Sequence, residues 1–112
     1  MAYYGKNAVW ASFSFNGTNT SQIYDSHNVS SITDHGTGTF RVNFTNNAPD
    51  TNYCPVGLSQ RKSGNSDIRH FGFDHTSPYN HFGTNGFDYR YFHYTNVSAA
   101  ETSLCNGFVL RN

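Results

Sequence analysis

The sequence predicts an all-β chain, an antiparallel β-sandwich or flattened barrel of about seven or eight strands. Three observations carry that expectation. First, phenylalanine and tyrosine are abundant, with ten and eight copies, while there is a single glutamate, Glu101, and two lysines, Lys6 and Lys62. Aromatic, glycine, asparagine and threonine enrichment favours pleated strands over helix. Second, several stretches alternate apolar and polar residues with period two, and no window carries a helical period. Third, clusters of Asn, Gly, Asp and Ser separate these stretches at intervals of about 8–15 residues. At 112 residues the chain is expected to be one domain, 1–112, large enough to bury a core.

The elements follow in order. Val9, Ala11, Phe13 and Phe15 alternate with Trp10, Ser12 and Ser14, so Val9 to Phe15 reads as a strand with those four facing inward. Asn16-Gly17 marks a turn, and Gln22 to Ser26 is a short strand carrying Ile23. Val29 to Thr33 is β-branched and pairs with the alternating Phe40 to Thr45, in which Phe40, Val42 and Phe44 face the core. Between them, Asp34-His35-Gly36-Thr37-Gly38 suits a hairpin loop with a bulge, because its two glycines supply positive φ. Asn46 to Asp50 ends the second strand. Tyr53 to Gln60 is the next, with Cys54, Val56 and Leu58 on one face and Pro55 placing it at a sheet edge or starting it late.

Arg61 to Asp67 reads as a solvated turn, and Ile68 to Phe73 as a strand. Asp74 to Gly86 is the longest loop. Phe87 to Tyr94 is a strand with rings on both faces, and Phe108 to Arg111 is a closing strand. Cys54 and Cys105 could pair, but they read as two small buried thiols.

One stretch resembles a known kind of module. "FNGT" at Phe15 to Thr18, "NVSSITDHGTGTFRVNFT" at Asn28 to Thr45, and "APDTNY" at Ala48 to Tyr53 follow a pattern of tail-fibre and related virion proteins of tailed bacteriophages. There the order is W-x-x-F-x-G-T-G, then N-V-S-S-I-T-D-N-G-T-G-x-Y-x-V-N-F, then M-P-D-x-N-Y. This chain departs at Asn19 (usually glycine), His35 (usually asparagine) and Ala48 (usually methionine). The likeness spans roughly the first half and stops near Gln60. It implies a surface module of a phage particle, threefold like tail fibres, assembled in the host cytoplasm and released by lysis. It identifies no receptor.

Charge and chemistry narrow the function. Formal charge is zero, which removes the usual electrostatic case for nucleic acid or an anionic membrane. No apolar run is long enough to span a bilayer, and MAYYGKNAVW lacks a signal peptide's order. The five N-x-S/T triplets, at Asn16, Asn19, Asn28, Asn43 and Asn96, therefore read as a by-product of composition. His70, His75 and His81 with Asp74 invite a metal, yet none shows paired ligand spacing, so no metal and no cofactor is expected. Asp67, Asp74, Asp88 and Glu101 are the candidate acids. Asp88 beside Arg90 reads as a same-face ion pair, and no nucleophile signature is present, so no enzyme is expected.

What remains is rings mixed with Asn, Asp, His and Thr between Asp74 and Tyr94. Aromatic faces stack on sugar C–H groups while short polar side chains take hydroxyls. Tyr79, His81, Phe82 and Asn85 are the candidate ligand-binding residues because they lie in a loop. The expected function is a non-enzymatic virion surface protein. The first reading is a trimeric tail-fibre module that binds a host receptor, a surface glycan. The alternatives are a capsid decoration or head-fibre protein and a free carbohydrate-binding lectin. The rings of Tyr89 to Tyr94 and the closing strand are expected at the threefold contact, with Tyr79 to Asn85 outward.

Overall fold

The computed structural model describes residues 8–36, 38–60, 69–72, 81–93 and 104–111. Within them the strands are β1 (Ala8–Asn16), β2 (Asn19–His27), β3 (Val29–Gly36), β4 (Thr39–Phe44), β5 (Tyr53–Gln60), β6 (Arg69–Gly72), β7 (Phe82–Gly83), β8 (Gly86–His93) and β9 (Leu104–Arg111). They form two antiparallel sheets that face each other and do not close into a barrel. One has the order β2-β1-β9-β5. The other has the order β3-β4-β8-β6, with the short β7 paired to β8. Of the two expected architectures, the sandwich is the one that forms.

The core is built from the inward positions of the period-two strands. Ala11, Phe13 and Phe15 of β1 meet Phe40, Val42 and Phe44 of β4 and Phe87 and Tyr89 of β8. Val29, Ile32, Ala48, Tyr53, Cys105 and Val109 complete the buried set. Rings hold the sheets together. Phe15 meets Phe40 edge-on at 5.3 Å, Phe44 meets Tyr53 edge-on at 5.5 Å, and Phe13 lies 6.0 Å from Tyr89. Such tilted and T-shaped pairs add about 0.5–1.5 kcal/mol each beyond the apolar area they bury.

The β3–β4 hairpin has the expected bulge. Its register steps between Asp34 and Gly36, and Gly36 pairs with Thr39. Gly36 and Gly38 adopt φ of 128° and 67°, values that a Cβ disfavours. Asn28 makes the crossing from one sheet to the other. Its φ of 55° is left-handed, which asparagine tolerates. Its side-chain oxygen accepts from the Asn46 N–H at 2.9 Å, and its carbonyl accepts from the Thr45 N–H at 3.0 Å.

Several expectations are corrected. Val9 is exposed, because the β1–β9 register shifts between Val9 and Ala11 and the inward alternation begins only at Ala11. Cys54 is exposed and only Cys105 is buried; neither forms a disulfide. Cys54 pairs across the ladder with Leu110, whereas Cys105 pairs with Ser59. The β5 set Cys54, Val56 and Leu58 does share a face, but it is the outer one, and β5 is an edge strand as Pro55 implies. Tyr89 is fully buried within the chain, so it is no subunit contact. β2 and β9 are longer than expected at both or one end, since pairing with β1 carries them through polar residues. The side chains of Tyr91 and Phe92, and Tyr94 as a whole, lie outside the described residues.

Candidate functional site

The tip of the β7–β8 hairpin, residues 81–86, carries the candidate site. The run Phe82-Gly83-Thr84-Asn85-Gly86 folds back on itself because Gly83 pairs with Gly86 across two turn residues. Gly86 has φ of 151°, and a Cβ there would collide with the Val42 carbonyl, so glycine lets the tip lie directly against β4. The backbone then docks. The Phe44 N–H donates to the Asn85 carbonyl at 2.9 Å, and the Ala48 N–H donates to the Thr84 carbonyl at 2.7 Å. The Tyr53 hydroxyl donates to the carbonyls of Gly83 at 2.7 Å and Gly86 at 3.2 Å. Burial pushes the Tyr53 phenol well above its ordinary pKa, so it stays a donor.

The tip presents one ring. Phe82 stacks on Tyr53 at 4.5 Å with 21° between the planes, and 37% of Phe82 remains exposed. Beside it, His81 Nε2 lies 2.7 Å from Asn85 Oδ1, both at the surface. The His81 ring passes over Gly83, where even a methyl group would press on it. The result is an apolar face with an imidazole and a carboxamide at its edge.

Beneath the tip lies a charged cluster. The Asp88 side chain, on β8, is fully covered and binds Arg41, its direct partner on β4. Arg41 Nε donates to Oδ1 at 2.7 Å and Nη2 donates to Oδ2 at 3.1 Å. The His81 N–H donates to Oδ2 at 2.9 Å, and His35 Nε2 stands 3.3 Å from Oδ1. Burial alone would push the Asp88 carboxyl up. The Arg41 and His81 hydrogen bonds and the Arg41 and His35 charges outweigh it and hold it below the usual carboxylate range. The same pairing raises Arg41. The expected Asp88–Arg90 pair is thus replaced by Asp88–Arg41. Residues opposite on neighbouring strands lie closer than residues two apart on one strand.

Of the four sequence-predicted site residues, the structure brings His81, Phe82 and Asn85 together. Tyr79 lies outside the described residues, as do His75 and Asp74. Tyr53, Asp88 and Arg41 were missed as parts of this site. Tyr53 reads as the first residue of a strand, and only sheet packing puts its ring under Phe82. Among the described residues, no three His, Cys, Asp or Glu side chains converge on a place for a metal ion.

A second surface feature lies on the opposite sheet. On the outer face of β5 and β9, Val56, Leu58 and Phe108 are exposed, Leu58 to 73%. Val56 sits directly across from Phe108. Between them is a shallow apolar hollow of about 150 Å³, lined also by Phe13, Asn106 and Gly107. No helix among the described residues is long and apolar enough to cross a membrane.

No protein-family model, no curated protein and no solved structure matches this chain.

Proposed function

We propose that this protein is a non-enzymatic virion surface module, the receptor-binding part of a bacteriophage tail fibre, which adsorbs to host surface glycans through the β7–β8 tip. The observation that carries the binding role is the half-exposed Phe82 stacked on Tyr53 beside the His81–Asn85 pair. A ring offers its face to the C–H side of a pyranose, and the backing ring keeps it from turning away. The imidazole and carboxamide are placed to take hydroxyls at the rim. A docked backbone lets the tip bind without first being ordered, which spares entropy. The virion context rests on the resemblance of Phe15–Thr18, Asn28–Thr45 and Ala48–Tyr53 to phage tail-fibre modules.

A second reading, a capsid decoration or head-fibre protein, is favoured by the apolar stripe of Val56, Leu58 and Phe108, which suits assembly. The two readings separate by experiment. Adsorption of the isolated chain to bacterial cells and to an array of bacterial surface polysaccharides is measured for the parent and for Phe82→Ala. The expected result is binding by the parent and a drop of at least tenfold in Phe82→Ala, with thermal midpoint within a few degrees. Equal adsorption by both removes the tip from the function. No adsorption by either favours the structural reading.

A further inference from the structure

We infer that Asp88 is the positioning residue of the β7–β8 tip: its carboxylate takes the place of a backbone carbonyl and grips His81, so that Phe82 and Asn85 are presented at a set angle. This rests on reading the tip as the binding surface. Phe82 pairs with Phe87 and Gly83 with Gly86, so His81 and Asp88 are the next pair of the ladder. In a hydrogen-bonded antiparallel pair the two residues exchange both backbone bonds. Here one bond is of that kind: the Asp88 N–H donates to the His81 carbonyl at 2.7 Å. The other is not. The His81 N–H donates to the Asp88 side chain, Oδ2, at 2.9 Å.

The exchange replaces the second backbone bond of the ladder next to the two-residue strand β7. It also ties the tip to charge. Oδ2 receives Arg41 Nη2 as well as the His81 N–H, and Oδ1 receives Arg41 Nε, with His35 Nε2 close by. The β3–β4 hairpin therefore holds the carboxylate, and the carboxylate holds the tip. A buried acid is costly unless every lone pair is engaged. Asp88 is 2% exposed and lies on a face whose neighbours Arg41 and Asn43 are only half-buried, so its burial is not demanded by the apolar core. A tether explains its presence there.

The test is nuclear magnetic resonance on the whole chain, parent and Asp88→Asn. Asparagine keeps the size and one acceptor but loses the charge, and it turns a donor toward Arg41. The expected result is at least tenfold faster exchange of the His81 amide and weaker Tyr53–Phe82 ring contacts, with Val42 and Val109 amides still protected. Unchanged His81 exchange overturns the tether. So does a rise matched at Val42 and Val109, which is global destabilisation. If Asp88→Asn fails to fold, the parent alone decides: the His81 amide shift must follow a carboxyl titrating below the usual range, and a shift independent of acid overturns the inference. Adsorption of Asp88→Asn to bacterial cells is the separate arm. A loosened tip with adsorption intact upholds the tether and overturns the tip as the binding surface. Lost adsorption with His81 unaltered overturns the tether.

Discussion

Arg41 and Asp88 show how a single side chain chooses its partner. Both arginines flanking Asp88 in sequence space or across the ladder were available, and the direct cross-strand partner won. Its two parallel hydrogen bonds are the geometry in which guanidinium and carboxylate bind best. The pH consequence has a definite sign. The folded Asp88 carboxyl titrates below its unfolded value, which lies near 3.8. Its contribution is therefore fully present above the unfolded value and is lost as pH falls through the folded one. Urea unfolding of the parent and Asp88→Asn should differ by a constant amount from about pH 7 to 5 and converge toward pH 2. A difference that holds steady down to pH 2 would mean the carboxylate is not what stabilises the site. The three residues His81, Phe82 and Asn85 were legible because turn-rich sequence marks exposed loops. Tyr53 and Asp88 were not, because each reads locally as an ordinary strand position.

At the scale of elements, the β3–β4 hairpin is the best-specified part of the chain. Alternation, β-branching and paired glycines all indicate the same register, and Phe40, Val42 and Phe44 are buried as expected. Truncating Phe44 to alanine removes contacts with Tyr53 and Phe87 and should cost about 3–5 kcal/mol in denaturant unfolding. A loss under about 1 kcal/mol would contradict that register. Strand β9 is the contrasting case. Asn106 and Gly107 disfavour strand locally, so only Phe108 to Arg111 read as one. The strand begins at Leu104 because β1 and β5 pair with it on both sides. Gly107 fits there since the Phe13 ring occupies the space that a Cβ would need.

At the scale of the whole molecule, the question is what covers the β5–β9 face. The proposed trimer was expected to use rings of β8, but Tyr89 is consumed by the chain's own core. The stripe of Val56, Leu58 and Phe108 is an exposed apolar surface on the other sheet. Rotational symmetry would hide the same stripe on every copy. On that proposal, Phe108→Asp should convert a trimer to a monomer in sedimentation at micromolar concentration, with the strand signature of circular dichroism intact. A monomeric parent, or a variant that stays trimeric, would exclude this face as the contact.

The sequence by itself determined the all-β class, the strand-by-strand alternation and the central hairpin, and it narrowed β5 to an edge strand or one that starts late. These follow from short-range rules: period two, turn chemistry, and the missing N–H of Pro55. Tertiary structure decided the rest. Which of a strand's two faces is buried depends on what lies across the sandwich, so Cys54, Val56 and Leu58 could be placed on one face but not assigned to the outside. Which charges meet depends on strand order, and β4 and β8 are neighbours although Arg41 and Asp88 are 47 residues apart in the chain. The candidate site exists only through that pairing: period and turn signals act over a few residues, whereas the contacts that place Phe82 on Tyr53 and His81 on Asp88 are set by how two sheets close on one core.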